Sequence, residues 1–236
     1  MLQAYIKYLI SWCLVLATIP ALAIAVKDSN ELFIEGQDYI KLSDKIRKNS
    51  EVTQFLSANP NKVQVVFFFN YGCHACEAFN KPFEKWLGQQ RQQKNSKFII
   101  YKFPVSFNPQ WEMLAKLYFV METLDPKMKL NDDVFDAIHK QGLRLWQEPV
   151  MKKFFVQHGY GEKAFDQAFS SPSVTKQVKR ADDLSKGYEI TATPDIVVNG
   201  PVSSYMLNVV KAGNDVDRLF KILTYVIRRE AKLLED

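Results

Sequence analysis

The strongest strand pattern in the chain is Val63-Gln64-Val65-Val66-Phe67-Phe68-Phe69. Its residues are β-branched or aromatic and only Gln64 is polar. Neither face is set aside for water, as in a central strand covered on both sides. Asn70-Tyr71-Gly72 supplies turn chemistry. Beyond it Phe79, Phe83, Trp86 and Leu87 recur at helical spacing, with Pro82 placed to bend the helix. The next strand is predicted over residues 96–103, with Phe98-Ile99-Ile100-Tyr101 at its centre and Pro104 as its stop. Ahead of the central strand, Tyr39-Ile40-Lys41-Leu42 predicts a short strand and Val52 to Leu56 a helical turn. Asn59-Pro60-Asn61 then turns the chain.

From Asn108 to about Gly187 the periodicity becomes helical. Trp111, Leu114, Ala115, Tyr118 and Met121 share one stripe, which ends at Asp125-Pro126. Asn131 stands where it would cap a helix carrying Val134, Phe135 and Ile138, and further helices are predicted over 149–157, 162–169 and 173–186. The aromatic residues of this block, Trp111 and Trp146 among them, read as core. Strand character returns at Glu189-Ile190-Thr191 and again up to Asn199-Gly200, a hairpin signal with residues 203–206 as the partner strand. Residues 215–230 form an amphipathic helix with Val216, Leu219, Phe220, Leu223, Val226 and Ile227 on one stripe. The order predicts an α/β fold: a parallel βαβ unit and a ββα unit in one mixed sheet with helices on both faces, interrupted by a helical insertion at about 107–188.

Between the central strand and its helix lies Cys73-His74-Ala75-Cys76. The first turn of a helix has unpaired N–H groups and a dipole that favours negative charge, so a thiolate at Cys73 is stabilised there. His74, as a cation or hydrogen-bond donor, would add to this. Such a cysteine is a reactive nucleophile and a good leaving group. The alternative is a structural disulfide. It would close so short a loop that the chain-entropy formula gives only about 2 kcal/mol. Half a zinc site is a second alternative, but zinc takes four ligands. The remaining cysteine is Cys13, and His139 and His158 fall in no ligand-like cluster, so no metal is expected. Haem attachment would need histidine where Glu77 stands.

The first 25 residues carry Lys7, an apolar stretch from Tyr8 to Ile19, and small residues at Ala21, Ala23 and Ala25. This is the pattern of an export signal cleaved near 23–25, with an uncleaved anchor as the alternative. Cleavage removes Cys13 and leaves two cysteines in an exported chain, both in the motif. The expected domains are therefore 1–25 as signal and 26–236 as a single functional domain. The net charge of +5 comes without any basic run interleaved with aromatics, so nucleic acid is not an expected partner.

Cys73-His74-Ala75-Cys76 after a buried strand, the helical insertion, and a late Thr193-Pro194-Asp195-Ile196-Val197-Val198-Asn199-Gly200 leading to an amphipathic helix resemble the thioredoxin superfamily. Within it they resemble the DsbA family of bacterial periplasmic thiol-disulfide oxidases. That family is a known example of a lowered cysteine pKa and an oxidising couple, so both properties are implied by the resemblance. It also implies that Cys73 is the exposed reactive cysteine and Cys76 its shielded partner. Thr193-Pro194 would be a cis peptide lying against the disulfide, with the Thr193 backbone free to pair with an extended client segment. The chain departs from the family at three places. Phe67 stands where relatives often carry an acidic residue paired with a lysine, and Lys102 occupies that lysine's position without it. The histidine is at 74, with Ala75 in its usual place. Threonine before the cis proline is more usual in isomerases.

The expected activity is insertion of disulfides into exported proteins in the periplasm. The redox-active Cys73–Cys76 disulfide is the agent, and no bound cofactor is expected. The partners would be unfolded or partly folded proteins with reduced cysteines and a quinone-linked, DsbB-like membrane protein that reoxidises the pair. The helical block should cap the active-site face and form a client groove. The rivals are an isomerase or reductase kept reduced by another protein, and a chaperone-like peptide-binding module with a structural disulfide.

Overall fold

In the computed structural model, which describes residues 33–91 and 97–235, the run Val63–Phe69 forms strand β2 with every residue buried. It is an interior strand of a five-stranded mixed sheet. The other strands are β1 (Ile40–Lys41), β3 (Phe98–Pro104), β4 (Asp195–Asn199) and β5 (Ser204–Leu207), in the order β1-β5-β4-β2-β3. β2 runs parallel to β3, in register from Val63↔Phe98 to Phe69↔Pro104, and antiparallel to β4. β4 pairs antiparallel with β5, and β5 with β1. The expected export signal over 1–25 lies outside the described residues.

Alternation along β2 sends its aromatic rings to opposite layers. Phe67 stacks on Phe83 and meets Phe79 at a tilt, both of helix α3 (His74–Arg91), and Phe83 meets Phe220 of the C-terminal helix, placing both helices on one face. On the other face Phe68 meets Tyr188, and Gln64 Nε2 donates to the Leu56 and Asn59 carbonyls. Gln64, the single polar residue of the run, thus ties β2 to the end of a preceding helix. That helix (Ser50–Ser57) is longer than the expected turn because Asn49 Oδ1 caps it, accepting from the N–H groups of Glu51 and Val52. It is α2, following the short α1 (Asp44–Arg47).

Five helices stand between β3 and β4: α4 (Pro109–Leu124), α5 (Asn131–His139), α6 (Glu148–Gln157), α7 (Glu162–Phe169) and α8 (Pro172–Gly187). α9 (Val216–Lys232) closes the chain, with Asp215 as its cap. α3 continues through Pro82. Three local expectations need correction. Asn131 is the first residue of α5, not its cap: Leu130 takes that place, its N–H is accepted by Asp125 Oδ2, and the Asn131 amide is committed elsewhere. Glu189-Ile190-Thr191 is not a strand. The N–H groups of Glu189 and Ile190 close the end of α8 onto the Lys186 and Ser185 carbonyls, with Glu189 left-handed at φ 58°. The hairpin is present, but Asn199 still pairs with Ser204, so the connection runs from Gly200 to Ser203 instead of through an Asn-Gly turn. The buried Asn199 amide holds that end together, its Oδ1 accepting from Tyr188 OH and Ser204 Oγ.

β4 opens with Asp195, 4 % exposed and opposite Phe68. Burial raises its carboxyl from 3.8 to about 6, and a hydrogen bond with Asn208 only partly offsets this. The unfolded chain therefore ionises first. Stability is greatest below the unfolded value, falls as pH rises between about 4 and 6, and stays at the lower level above. Asp195→Asn is expected to be more stable than the parent at about pH 7.5, by on the order of 2–3 kcal/mol, and equal to it near about pH 3.5. Urea unfolding at the two pH values checks this. Equal stability at the higher pH contradicts it.

Candidate active site at the Cys73–Cys76 turn

The turn leaving β2 is built on Asn70, which is fully buried. Its Oδ1 accepts the Gly72 N–H at 2.9 Å, while its Nδ2 donates to the carbonyls of Val105 at 2.8 Å and Trp111 at 3.0 Å. One side chain thus fastens the turn to the end of β3 and the start of α4. Gly72 permits that approach: a Cβ there would lie 2.8 Å from Trp111 Nε1 and 3.2 Å from Leu114 Cδ1. The Cys73 N–H then bonds the Asn70 carbonyl at 3.1 Å, and the Cys73 carbonyl accepts from Glu77 N at 3.0 Å, the first bond of α3. Cys73 is therefore the helix N-cap. Its Sγ receives the Cys76 N–H at 3.3 Å, the bond a capping oxygen ordinarily makes.

The structure holds Cys73 and Cys76 as free cysteines, Cys73 partly exposed and Cys76 only 1 % exposed. Their proton affinities are driven apart. The Cys76 S–H donating to it lowers the Cys73 thiol to about 6 from an ordinary 9.0. Burial opposes this, and the Thr193 hydroxyl and the N–H groups of Cys76 and Ala75 add to it. Burial pushes Cys76 strongly up, and the neighbouring Cys73 pushes it further. The proton of the pair belongs to Cys76 and the charge to Cys73. Chemically, Cys73 is the more accessible and more readily ionised thiol and Cys76 the shielded one.

Thr193-Pro194 is cis. The Thr193 carbonyl lies 3.5 Å from Cys73 Sγ, so the fold brings these two motifs together across the sheet. Both residues are half-buried, and Thr191 and Ala192 before them are exposed. His74 is exposed and is not among the leading influences on the Cys73 thiol. Its ring instead packs against His139 of α5, with centroids 4.4 Å apart. His139 Nε2 is 2.7 Å from the Tyr71 carbonyl. His139 was not legible as a site residue, because nothing local in its sequence distinguishes it. Lys102 is not left unpaired: Glu84 of α3 takes the place of the missing acid, and Phe67, opposite Lys102 in the sheet, joins the aromatic layer. Among the described residues no group of three or more His, Cys, Asp or Glu could hold a metal ion, and no helix is long and apolar enough to cross a membrane. A groove of about 810 Å³ runs along edge strand β3 between Glu84, Lys102, Glu122 and Arg180. Its lining includes neither cysteine nor Thr193-Pro194, so it is separate from the expected client groove.

A family model described as the DSBA-like thioredoxin domain matches residues 64–226. The thiol:disulfide interchange protein DsbA of Azotobacter vinelandii is 31 % identical over 195 residues, covering 83 % of each chain. The protein of the same name from Bordetella parapertussis is 32 % identical over 176 residues, covering 75 % of this chain and 80 % of the relative. Among solved structures, Pseudomonas aeruginosa DsbA has the same fold, with a TM-score of 0.73 at 24 % identity over 88 % of this chain and 99 % of that one. With its thioredoxin fold and its paired thiols of unequal proton affinity, this chain belongs to the DsbA-like thioredoxin family of thiol-disulfide oxidoreductases.

Proposed function

We propose that the chain acts as a net oxidase of exported proteins, with Cys73 as the exchanging sulfur and Cys76 as its partner. A client thiolate attacks Cys73 Sγ in the Cys73–Cys76 disulfide. The S–S bond breaks, and its electron pair leaves on Cys76, which takes up a proton. A second client thiolate then attacks the client sulfur of the mixed disulfide and expels Cys73 as a thiolate. The client loses two electrons and closes its disulfide; the enzyme gains them. The pair itself carries the electrons, so no bound metal or cofactor enters the reaction. The observation that carries this reading is Cys73 at the cap of α3, its Sγ accepting the Cys76 N–H beside a buried second thiol: the better that thiolate is held, the faster it leaves and the more oxidising the couple.

Thr193 and Pro194 belong to client binding in this reading. The Thr193 backbone beside Cys73 Sγ would pair with an extended client segment, a form of strand addition that leaves the client's cysteine at the sulfur. His74, on the first turn of α3 with its ring against His139, would support the Cys73 thiolate as a cation or hydrogen-bond donor. The apolar first 25 residues support export, and we place the reaction in the periplasm. Reoxidation then falls to a quinone-linked, DsbB-like membrane protein.

Acid trapping of cells followed by a mass-tagging maleimide reads the state of the two thiols directly. Most molecules are expected oxidised. A mostly reduced pool contradicts the oxidase direction and favours an isomerase or reductase. Cys73→Ala is expected to abolish oxidation of a reduced dithiol peptide. Activity retained in that variant would remove Cys73 from the chemistry.

A further inference from the structure

Helix α5 holds one residue at three points. Asn131, Phe135 and His139 recur every fourth residue and so share a stripe. The Tyr71 hydroxyl donates to Asn131 Oδ1 at 2.8 Å, its ring meets the Phe135 ring edge-on at 4.8 Å, and its carbonyl receives His139 Nε2 at 2.7 Å. The first two contacts are what burial of a tyrosine demands, since Tyr71 is fully buried and its hydroxyl needs a partner. The third is different in kind. It falls on the backbone, two residues before Cys73, and a carbonyl only accepts, so Nε2 carries the hydrogen.

The Tyr71 carbonyl and the Gly72 N–H belong to one peptide plane. That plane is pinned on both sides, by His139 Nε2 at the oxygen and Asn70 Oδ1 at the nitrogen. Glycine at 72 lowers the steric cost of rotating the plane on its side, and close packing against Trp111 excludes any larger residue that would restrain it. On the glycine side the restraint comes from the hydrogen bonds. α5 is in turn fixed to the active-site helix, because Asn131 Nδ2 donates to Asn80 Oδ1 at 2.8 Å and Asn80 Nδ2 to Asp132 Oδ1 at 2.6 Å. A rigid element thus presents His139 to a joint that would otherwise swivel.

We propose that His139 is a positioning residue for disulfide exchange. Its Nε2–H latches the Tyr71–Gly72 peptide and so holds Cys73 where its sulfur receives the Cys76 N–H. The inference rests on Cys73 being the exchanging sulfur and adds a role for the helical insertion: it tunes the thiolate as well as covering the site.

The test compares the parent protein with His139→Phe, which keeps a ring against Phe135 and His74 but has no donor, and His139→Gln, which keeps a donor near the Nε2 position. Two readouts are taken: ultraviolet titration of the Cys73 thiolate in the reduced protein, and the equilibrium constant with glutathione. His139→Phe is expected to raise the titration midpoint and make the couple less oxidising by about threefold to tenfold, the range for one hydrogen bond. His139→Gln should stay within about twofold of the parent, as rescue by a retained donor. If His139→Phe matches the parent in both readouts and only its melting temperature moves, His139 is merely packed there and the proposal is wrong. If both variants shift alike, a retained donor does not rescue the site, and the latch is equally refuted. A parent protein without a low-pH thiolate titration would instead overturn the reading of Cys73 itself, whatever the variants do.

Discussion

A sulfur atom occupies the place of a helix-capping oxygen. Cys73 Sγ accepts the Cys76 N–H at the start of α3, within a field of unpaired N–H groups. Among the described residues the one other thiol, Cys76, is buried, so charge collects on one sulfur and the proton on the other. Every larger feature of the molecule bears on keeping that cap in place. β2 must end where it does, the turn must be held by Asn70, and α4 must close on Gly72. The cis Thr193-Pro194 turn brings its carbonyl to within 3.5 Å of the same sulfur.

The sheet and the insertion divide this work. Aromatic layers built from Phe67, Phe79, Phe83 and Phe220 seat α3 on the sheet and fix its direction. The insertion supplies the lateral contacts, through Trp111 beside Gly72 and through the Asn131–Phe135–His139 stripe around Tyr71. Where relatives often place a charged pair beneath the site, this chain places an aromatic ring at 67 and moves the acid to Glu84, which pairs with Lys102 across from α3. The charge balance is kept while the residue under the sheet becomes part of the core.

What the sequence reveals is what local pattern carries. β2, its following helix, the cysteine pair and the C-terminal helix are written in runs of adjacent or periodic residues, and the structure has them nearly as expected. The Thr193-Pro194 turn was legible through family resemblance. The contacts that finish the site are not local. Tyr71 meets its partners 60 and 68 positions away, and Lys102 meets Glu84 18 positions back on a neighbouring helix, so no helical or strand periodicity links these residues. Asn131 shows why a local rule fails: the side chain suited to capping α5 is worth more bridging the buried Tyr71 hydroxyl and Asn80. Asp195 is a similar case. Aspartate suits a turn, yet strand pairing buries it.

The central claim, that the reduced site is the stabilised one, is tested most directly by unfolding the oxidised and reduced proteins across pH. The lowered Cys73 thiol contributes stability to the reduced form that is fully present above the unfolded value of 9.0 and is lost as pH falls through about 6. The account predicts that the reduced form gains on the oxidised one as pH rises from about 6 to about 8, where it is the more stable of the two, and that the raised Cys76 thiol opposes further gain as pH passes 9.0. An oxidised form that stays more stable throughout, with a margin indifferent to pH, is the behaviour of a structural staple and would contradict it.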